Sequence, residues 1–391
     1  MQQGGRSRRA VLQALGAGTM AVGLGAGTGA AGTGDGRGGG ATARVNVGIR
    51  PGGADVVRDA AAIVHRTYAF DAMTATVPTG AVADLRARDD VRYVEPDAEV
   101  RVDDDGPLRT EDTQSTPYGI ERVGADAVDA TGDGIDVAVV DTGLDATHPD
   151  LLGRVGGSWT TVGSWVAGTA APAGQDDHGH GTHVAGTIGA TDDGSGVVGV
   201  APGVTFHAVK ALTASGTGYN ADIARGIEMA AQKGWDVVNL SVETTAASGT
   251  RMLRDACNYA RERGVVLVAA AGNDGPCSDC VAAPGSLSAT VGVGATDRDD
   301  AVAGFSSTGP GVDIAAPGVD VRSTDLGGGY ATMSGTSMAT PHVTGAAALL
   351  RAAGTDPART EERLLYTAED IGHDVAETGA GLLDIPAALR R

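Results

Sequence analysis

Ser337 stands in Gly335-Thr336-Ser337-Met338-Ala339-Thr340-Pro341-His342, where small residues on both sides let a substrate chain reach one hydroxyl. The run Gly345-Ala346-Ala347-Ala348-Leu349-Leu350 that follows predicts a helix with Ser337 at its N-terminus. Unpaired N–H groups and the helix dipole favour a developing negative charge there. A serine that only caps a buried helix fits the same run, so the partners must decide. A serine hydroxyl is a poor nucleophile at neutral pH and needs an imidazole base. That imidazole needs a carboxylate to fix its tautomer and stabilise its cation. Asp141-Thr142-Gly143-Leu144-Asp145 supplies a carboxylate directly after an apolar run. His178-Gly179-His180-Gly181-Thr182-His183-Val184-Ala185-Gly186-Thr187 supplies histidine at the start of a predicted helix. His178, His180 and His183 with Asp176 and Asp177 also suggest a metal cluster, but that reading leaves Asp141, Asn273 and Ser337 without a role.

Elements that could position these groups are legible as runs. Residues 135–140, 236–241 and 265–270 are near-continuously apolar, as strands buried on both faces of a parallel sheet must be. Helical stretches at 181–190, 220–233, 250–263 and 340–353 supply the crossovers. In such α/β folds the site lies beyond the carboxyl ends of the strands, and Asp141 and Asn273 follow two of them. The chain order Asp, His, Ser differs from that of the chymotrypsin-type and α/β-hydrolase triads.

At these three segments the chain resembles the subtilisin-like serine proteases, the resemblance running from about Gln114 to the C-terminus. It implies a three-layer α/β domain with a mainly parallel sheet flanked by helices, and peptide-bond hydrolysis through an acyl-enzyme. Ser337 would be the nucleophile, His180 the general base and then acid, and Asp141 the orienting carboxylate. Asn273 matches the oxyanion-hole asparagine. Gly216, Thr217 and Gly218, with Ser241 and Val242, resemble two backbone edges that pair with an extended peptide. Glu243 departs from the family, standing where a glycine is usual, and so puts the broad apolar preference in doubt. A structural Ca2+ site is implied at Gln114, Asp150 and Asp193, with carbonyls from Thr191, Ser195 and Val197. The competing readings are a catalytically inactive peptide-binding protein of this fold and a hydrolase for esters or amides other than proteins. Complete Asp141, His180, Asn273 and Ser337 argue against the first; the peptide groove and the prodomain argue against the second.

Residues 44–100 resemble the family's inhibitory propeptide, a small α/β ferredoxin-like unit that chaperones folding and inhibits until it is removed by self-cleavage. Strands are expected at 45–49, 70–77 and 91–95, and helices at 55–66 and 81–88. The acidic, turn-rich residues 101–113 form a cleavable linker before the catalytic domain, 114–391. Ser7-Arg8-Arg9-Ala10-Val11-Leu12-Gln13 resembles a twin-arginine export signal, which with a Gly-rich linker fills residues 1–43. A secreted, extracellular monomer without a stable membrane anchor is expected, acting on protein or peptide substrates. The 391 residues carry a net charge of -20, which opposes nucleic-acid binding. Lys210 and Lys233 are the only lysines, and such an acidic, lysine-poor surface suits high salt, as in halophilic, halolysin-like members. Of three cysteines, Cys277 and Cys280 form a lone CxxC; a local disulfide or a bridge from Cys257 to one of them is expected.

Overall fold

The computed structural model describes residues 41–102, 108–109, 114–162, 174–244 and 249–390. The twin-arginine segment and most of the 1–43 and 101–113 segments lie outside them. The N-terminal unit runs β1 (Thr42–Ile49), α1 (Ala54–Ala60), β2 (Ile63–Tyr68), β3 (Ala72–Pro78), α2 (Ala81–Arg86) and β4 (Val91–Pro96). Its sheet has the order β2-β3-β1-β4, all neighbours antiparallel, which is the split βαβ arrangement of ferredoxin-like folds. One expectation is corrected. The helix foreseen over 55–66 ends at Ala60, Ala61 is extended, and residues 63–68 form a strand instead. β-Branched and aromatic Ile63, Val64, Thr67 and Tyr68 favour a pleated strand. The signal was weak because this edge strand leaves Ile63 and Val64 exposed and shows no clean alternation.

Past β4 come β5 (Glu99–Arg101), the short β6 (Leu108–Arg109) and α3 (Tyr118–Arg122). The large domain continues with β7 (Asp136–Asp141), β8 (Val155–Thr160), α4 (His180–Gly189), β9 (Thr205–Lys210), β10 (Thr217–Tyr219) and α5 (Asn220–Lys233). Then follow β11 (Val237–Leu240), β12 (Glu243–Thr244), α6 (Arg251–Arg261), β13 (Val266–Ala270), β14 (Val291–Thr296) and β15 (Ile314–Pro317). The hairpin β16 (Val321–Asp325) and β17 (Gly329–Met333) leads into α7 (Thr336–Ala352) and α8 (Pro357–Tyr366). Seven strands form one parallel sheet, β15-β14-β13-β11-β7-β9-β8.

Side chains alternate between the two faces of this sheet. Val137, Val139, Val237, Val266 and Val268 join the core under α4 and α7. Ala138, Val140, Val238, Leu267 and Ala269 join the core under α5 and α6. Burial on both faces is why these strands read as unbroken apolar runs. Tyr68, Phe70, Ala72 and Val100 belong to the second core, so the N-terminal unit docks on the α5–α6 face. Its carboxylates also finish that face. Neither α5 nor α6 receives a side-chain cap from its own N-cap residue. Asp97 instead accepts from Ala221 N–H at 3.0 Å, and Glu95 from Arg251 and Met252 N–H at 3.2 and 2.9 Å. Orphan donors at two helix ends are thereby satisfied from another unit. Cys277 and Cys280 are disulfide-bonded, while Cys257 is buried in α6 with its thiol pushed up to about 12 by burial.

Candidate active site

Asp141 ends β7 and His180 begins α4, both fully buried, with His180 Nδ1 donating to Asp141 Oδ1 at 2.7 Å. A carboxylate acceptor fixes the proton on Nδ1, which leaves Nε2 as the basic nitrogen of the neutral ring. Asp141 Oδ1 also accepts Thr142 N–H at 2.6 Å, and Thr142 Oγ1 accepts Gly181 N–H at 2.9 Å. The strand end and the helix start are thus bonded directly. Gly181 permits this approach, because a Cβ there would lie 2.1 Å from the Gly143 carbonyl oxygen. Asp176 holds the same helix start, accepting from the N–H groups of His178, Gly179 and Thr182 and from Thr182 Oγ1. Burial raises its pKa, but these hydrogen bonds outweigh burial and the net shift is downward.

Ser337 lies in the first turn of α7, which packs beside α4. Its Oγ donates to the Ser241 carbonyl at 3.3 Å, and Ser241 Oγ returns a bond to the Ser337 carbonyl at 2.8 Å. That carbonyl would ordinarily meet the N–H of residue 341, but Pro341 has none. Ser241 fills the gap, and it is held in turn by Asn239 Nδ2 at 2.9 Å, itself fixed by Thr344 Oγ1 at 2.8 Å. Asn273 Oδ1 accepts from Thr336 N–H at 2.9 Å and from Thr336 Oγ1 at 3.1 Å. Its amide is therefore oriented by its oxygen, with Nδ2 as the end able to donate beside Ser337.

The two expected peptide edges are strands, and a third strand lies between them. β5 pairs antiparallel with β10, Arg101 opposite Thr217 and Val100 opposite Gly218, and with β12, Arg101 opposite Glu243. Val102 N–H extends the ladder to the Gly216 carbonyl at 3.0 Å. The tail of the N-terminal unit thus occupies the groove between Gly216–Gly218 and Ser241–Glu243 as an extended peptide. This is strand addition, with main-chain bonds on both sides.

Residues 132–381 match the Subtilase family (Peptidase_S8). The chain belongs to that family. It is 46% identical over 282 residues to Subtilisin Savinase of Lederbergia lenta, covering 71% of this chain and 100% of that one. Over 305 residues it is 45% identical to the Alkaline protease of Alkalihalobacillus alcalophilus, covering 77% and 74%. Over 342 residues it is 38% identical to Subtilisin E of Bacillus subtilis (strain 168), covering 85% of each. This subtilase is a subtilisin-like serine endopeptidase.

The remaining anticipated residues of the subtilase fall into two groups. Gln114 spans the 191–197 loop, Nε2 donating to Thr191 O at 3.1 Å and Oε1 accepting Gly194 N–H at 3.2 Å. Asp150 accepts Val197 N–H at 2.9 Å, and Asp193 accepts Ser195 N–H at 3.1 Å. Gly196 makes room for the buried Asp150 carboxylate, since a Cβ there would lie 2.3 Å from its Oδ2. Two carboxylates and an amide thus border this loop, and oxygen groups of that kind are the type a hard cation takes. His183 of the motif goes elsewhere. His183 Nε2 donates to Val321 O at 3.1 Å and Ala331 O at 3.2 Å, and burial lowers its pKa to about 3. Asp177 pairs with Lys210 at 2.5 Å. Thr142, Asp176, Asn239, Thr336 and Thr344 support the site, a role the sequence reading assigned to none of them. Thr142 and Thr336 lie within the motif segments, next to Asp141 and Ser337, which was the available signal; Asn239 and Thr344 carried none.

Proposed function

We propose that this subtilase is a secreted, halophilic endopeptidase made as a pre-pro-protein, with residues 44–100 as its inhibitor and chaperone and 101–113 as the self-cleaved linker. Ser337 Oγ attacks the scissile carbonyl while His180 Nε2 takes its proton. Asp141 stabilises the resulting imidazolium, and the oxyanion receives the Asn273 amide and the Ser337 N–H. His180 then returns the proton to the leaving amine, and water repeats the sequence to release the acyl group from Ser337. The observation that carries this reading is the pairing of residues 99–101 with both groove edges, a substrate-like pose for the leader's own tail. Twin-arginine export is supported by Ser7-Arg8-Arg9, and salt adaptation by the -20 net charge with two lysines. Among the described residues no helix is long and apolar enough to cross a membrane. We place calcium at Gln114, Asp150 and Asp193 with the carbonyls of Thr191, Ser195 and Val197, where it would tie the 191–197 loop to the start of the catalytic domain.

The leader interface supplies the test. Burial raises the pKa of Glu95, Asp97 and Asp222, Asp222 to about 7, with Asp97 adding like charge and Arg44 and Arg66 opposing it. Asp97 and Arg44 belong to the leader, so its departure relieves Asp222. A carboxylate whose pKa is raised in the docked state holds a proton that the released enzyme gives up. Docking is therefore strongest at acid pH and weakens as pH climbs through about 7. The self-cleaved complex, followed by onset of activity and by size exclusion, should release its leader about tenfold faster at pH 8.5 than at pH 5.5. Release at one rate across that range, or no inhibition by the bound leader, would overturn the assignment. Calcium has its own readout. At a thousandfold excess over its Kd a native-state ligand contributes about 4 kcal/mol, so chelation should lower the unfolding midpoint by roughly 10 °C. Asp193→Ala should unfold at the chelated temperature whether or not calcium is added.

A further inference from the structure

Glu243 is nearly fully buried, and its two carboxylate oxygens have different tasks. Oε2 accepts the Asn273 N–H at 3.0 Å, which fixes the side chain on the loop that carries the proposed oxyanion donor. Oε1 accepts from Arg101 Nη2 and Nε at 3.2 and 3.3 Å, and Asp274 Oδ1 stands 4.0 Å from the same Nη2. Arg101 is not a catalytic-domain residue but part of the peptide threaded through the groove, directly opposite Glu243 in the ladder. We propose that Glu243 is a specificity-determining residue, which selects substrates carrying arginine at the third position before the scissile bond.

The position follows from the register and rests on Ser337 being the nucleophile. β5 and β12 are antiparallel, so each step forward along the bound peptide is a step back from Glu243 towards Ser241. A peptide in this register brings the residue two after its arginine opposite Ser241, the residue whose carbonyl takes Ser337 Oγ. The bond after that residue is the one presented to the nucleophile. The residue type follows from the socket. The Glu243 side chain is 5% exposed and the Arg101 side chain 42%, so the carboxylate is buried while the guanidinium reaches it from the solvent side. A carboxylate so buried gains most from a charge-assisted partner, and that partner leaves with the leader. Arginine offers Nε and Nη2 together from a planar group, whereas lysine offers a point charge on a flexible stem.

Internally quenched peptides built on Glu-Val-Xaa-Val, after residues 99–102, test the proposal with Xaa as Arg, Lys, Gln or Glu and a second set in which arginine is moved one or two positions. Mature enzyme should show kcat/KM for Arg about tenfold above Gln, with Lys between and Glu lowest. In Glu243→Gln the Arg-to-Gln ratio should fall to within about twofold. An unchanged ratio in that variant, or a preference that follows arginine to another position, overturns the proposal. Arg101→Gln in the full chain gives a reading that does not depend on altering the groove. It leaves the mature enzyme identical, yet its leader should dissociate about tenfold faster after self-cleavage; an unchanged rate counts against the Glu243 pairing. Hydrolysis of the peptides without arginine preference overturns this inference alone, while hydrolysis of none overturns the endopeptidase reading with it.

Discussion

Ser337→Ala should accumulate as one uncleaved chain and hydrolyse peptides about 10⁶-fold more slowly than the mature enzyme; the scale is the one known for subtilisin itself. The oxygen lost is the only group of the proposed constellation that forms a bond to substrate. No neighbour can stand in for it. The other hydroxyl closest to it in role, Ser241 Oγ, is committed to the Ser337 carbonyl at 2.8 Å, where it replaces the N–H that Pro341 lacks. The substitution should not disturb the fold, because Ser337 Oγ makes one 3.3 Å bond to a carbonyl and the turn is held by Thr336 through Asn273. Folding and leader docking therefore stay intact while both activities vanish together. Electrophoresis and N-terminal sequencing of the purified chain, free of other proteases, give the result. Normal maturation with lost peptidase activity would show that another protease makes the cut.

Which parts of this arrangement were legible depended on how local their causes were. Asp141, His180 and Ser337 sit in segments whose small residues allow close approach, and Gly181 against the Gly143 carbonyl shows why those residues cannot vary freely. Strands β7, β11 and β13 announced themselves because a two-faced sheet requires unbroken apolar runs. The edge strand β2 did not, since its side chains are half in solvent and follow no period. Contacts between units left even less trace. Glu95 and Asp97 cap helices more than a hundred residues away, and nothing near them in sequence marks them as caps. A complementary sign did exist: Tyr219 and Thr250 open α5 and α6 without capping them through a side chain. A helix that lacks its own cap needs donors satisfied from elsewhere. Glu243 was legible as a departure from glycine, but its meaning was not. The threaded Arg101 gives the carboxylate a charged partner on the peptide side, beside the Asn273 N–H it also accepts, and hence a chemical purpose.

Asp141→Asn should lower kcat about 10⁴-fold with KM nearly unchanged, the scale seen for triad carboxylates in other serine proteases, subtilisin among them. The geometry explains why so small a change is so costly. Asp141 Oδ1 accepts from both His180 Nδ1 and Thr142 N–H, whereas Oδ2 is buried with no hydrogen-bond partner among the described residues. Asparagine can place its oxygen at the Oδ1 position only by burying an amide NH2 where the described residues offer no acceptor. Turning the amide over moves that NH2 against Thr142 N–H and forces the His180 proton from Nδ1 to Nε2. The first arrangement leaves two donors unsatisfied in the core, at about 1–3 kcal/mol each. The second leaves the ring unable to accept the Ser337 proton. Both placements leave the groove untouched, so substrate binding persists; the cost of the first drives the side chain to the second, where the loss appears in kcat. A variant with raised KM and nearly normal kcat would mean that Asp141 shapes the groove instead of the base. Histidine NMR separates the two amide placements, because the Nε2 tautomer of His180 shifts both ring nitrogens away from the wild-type pattern.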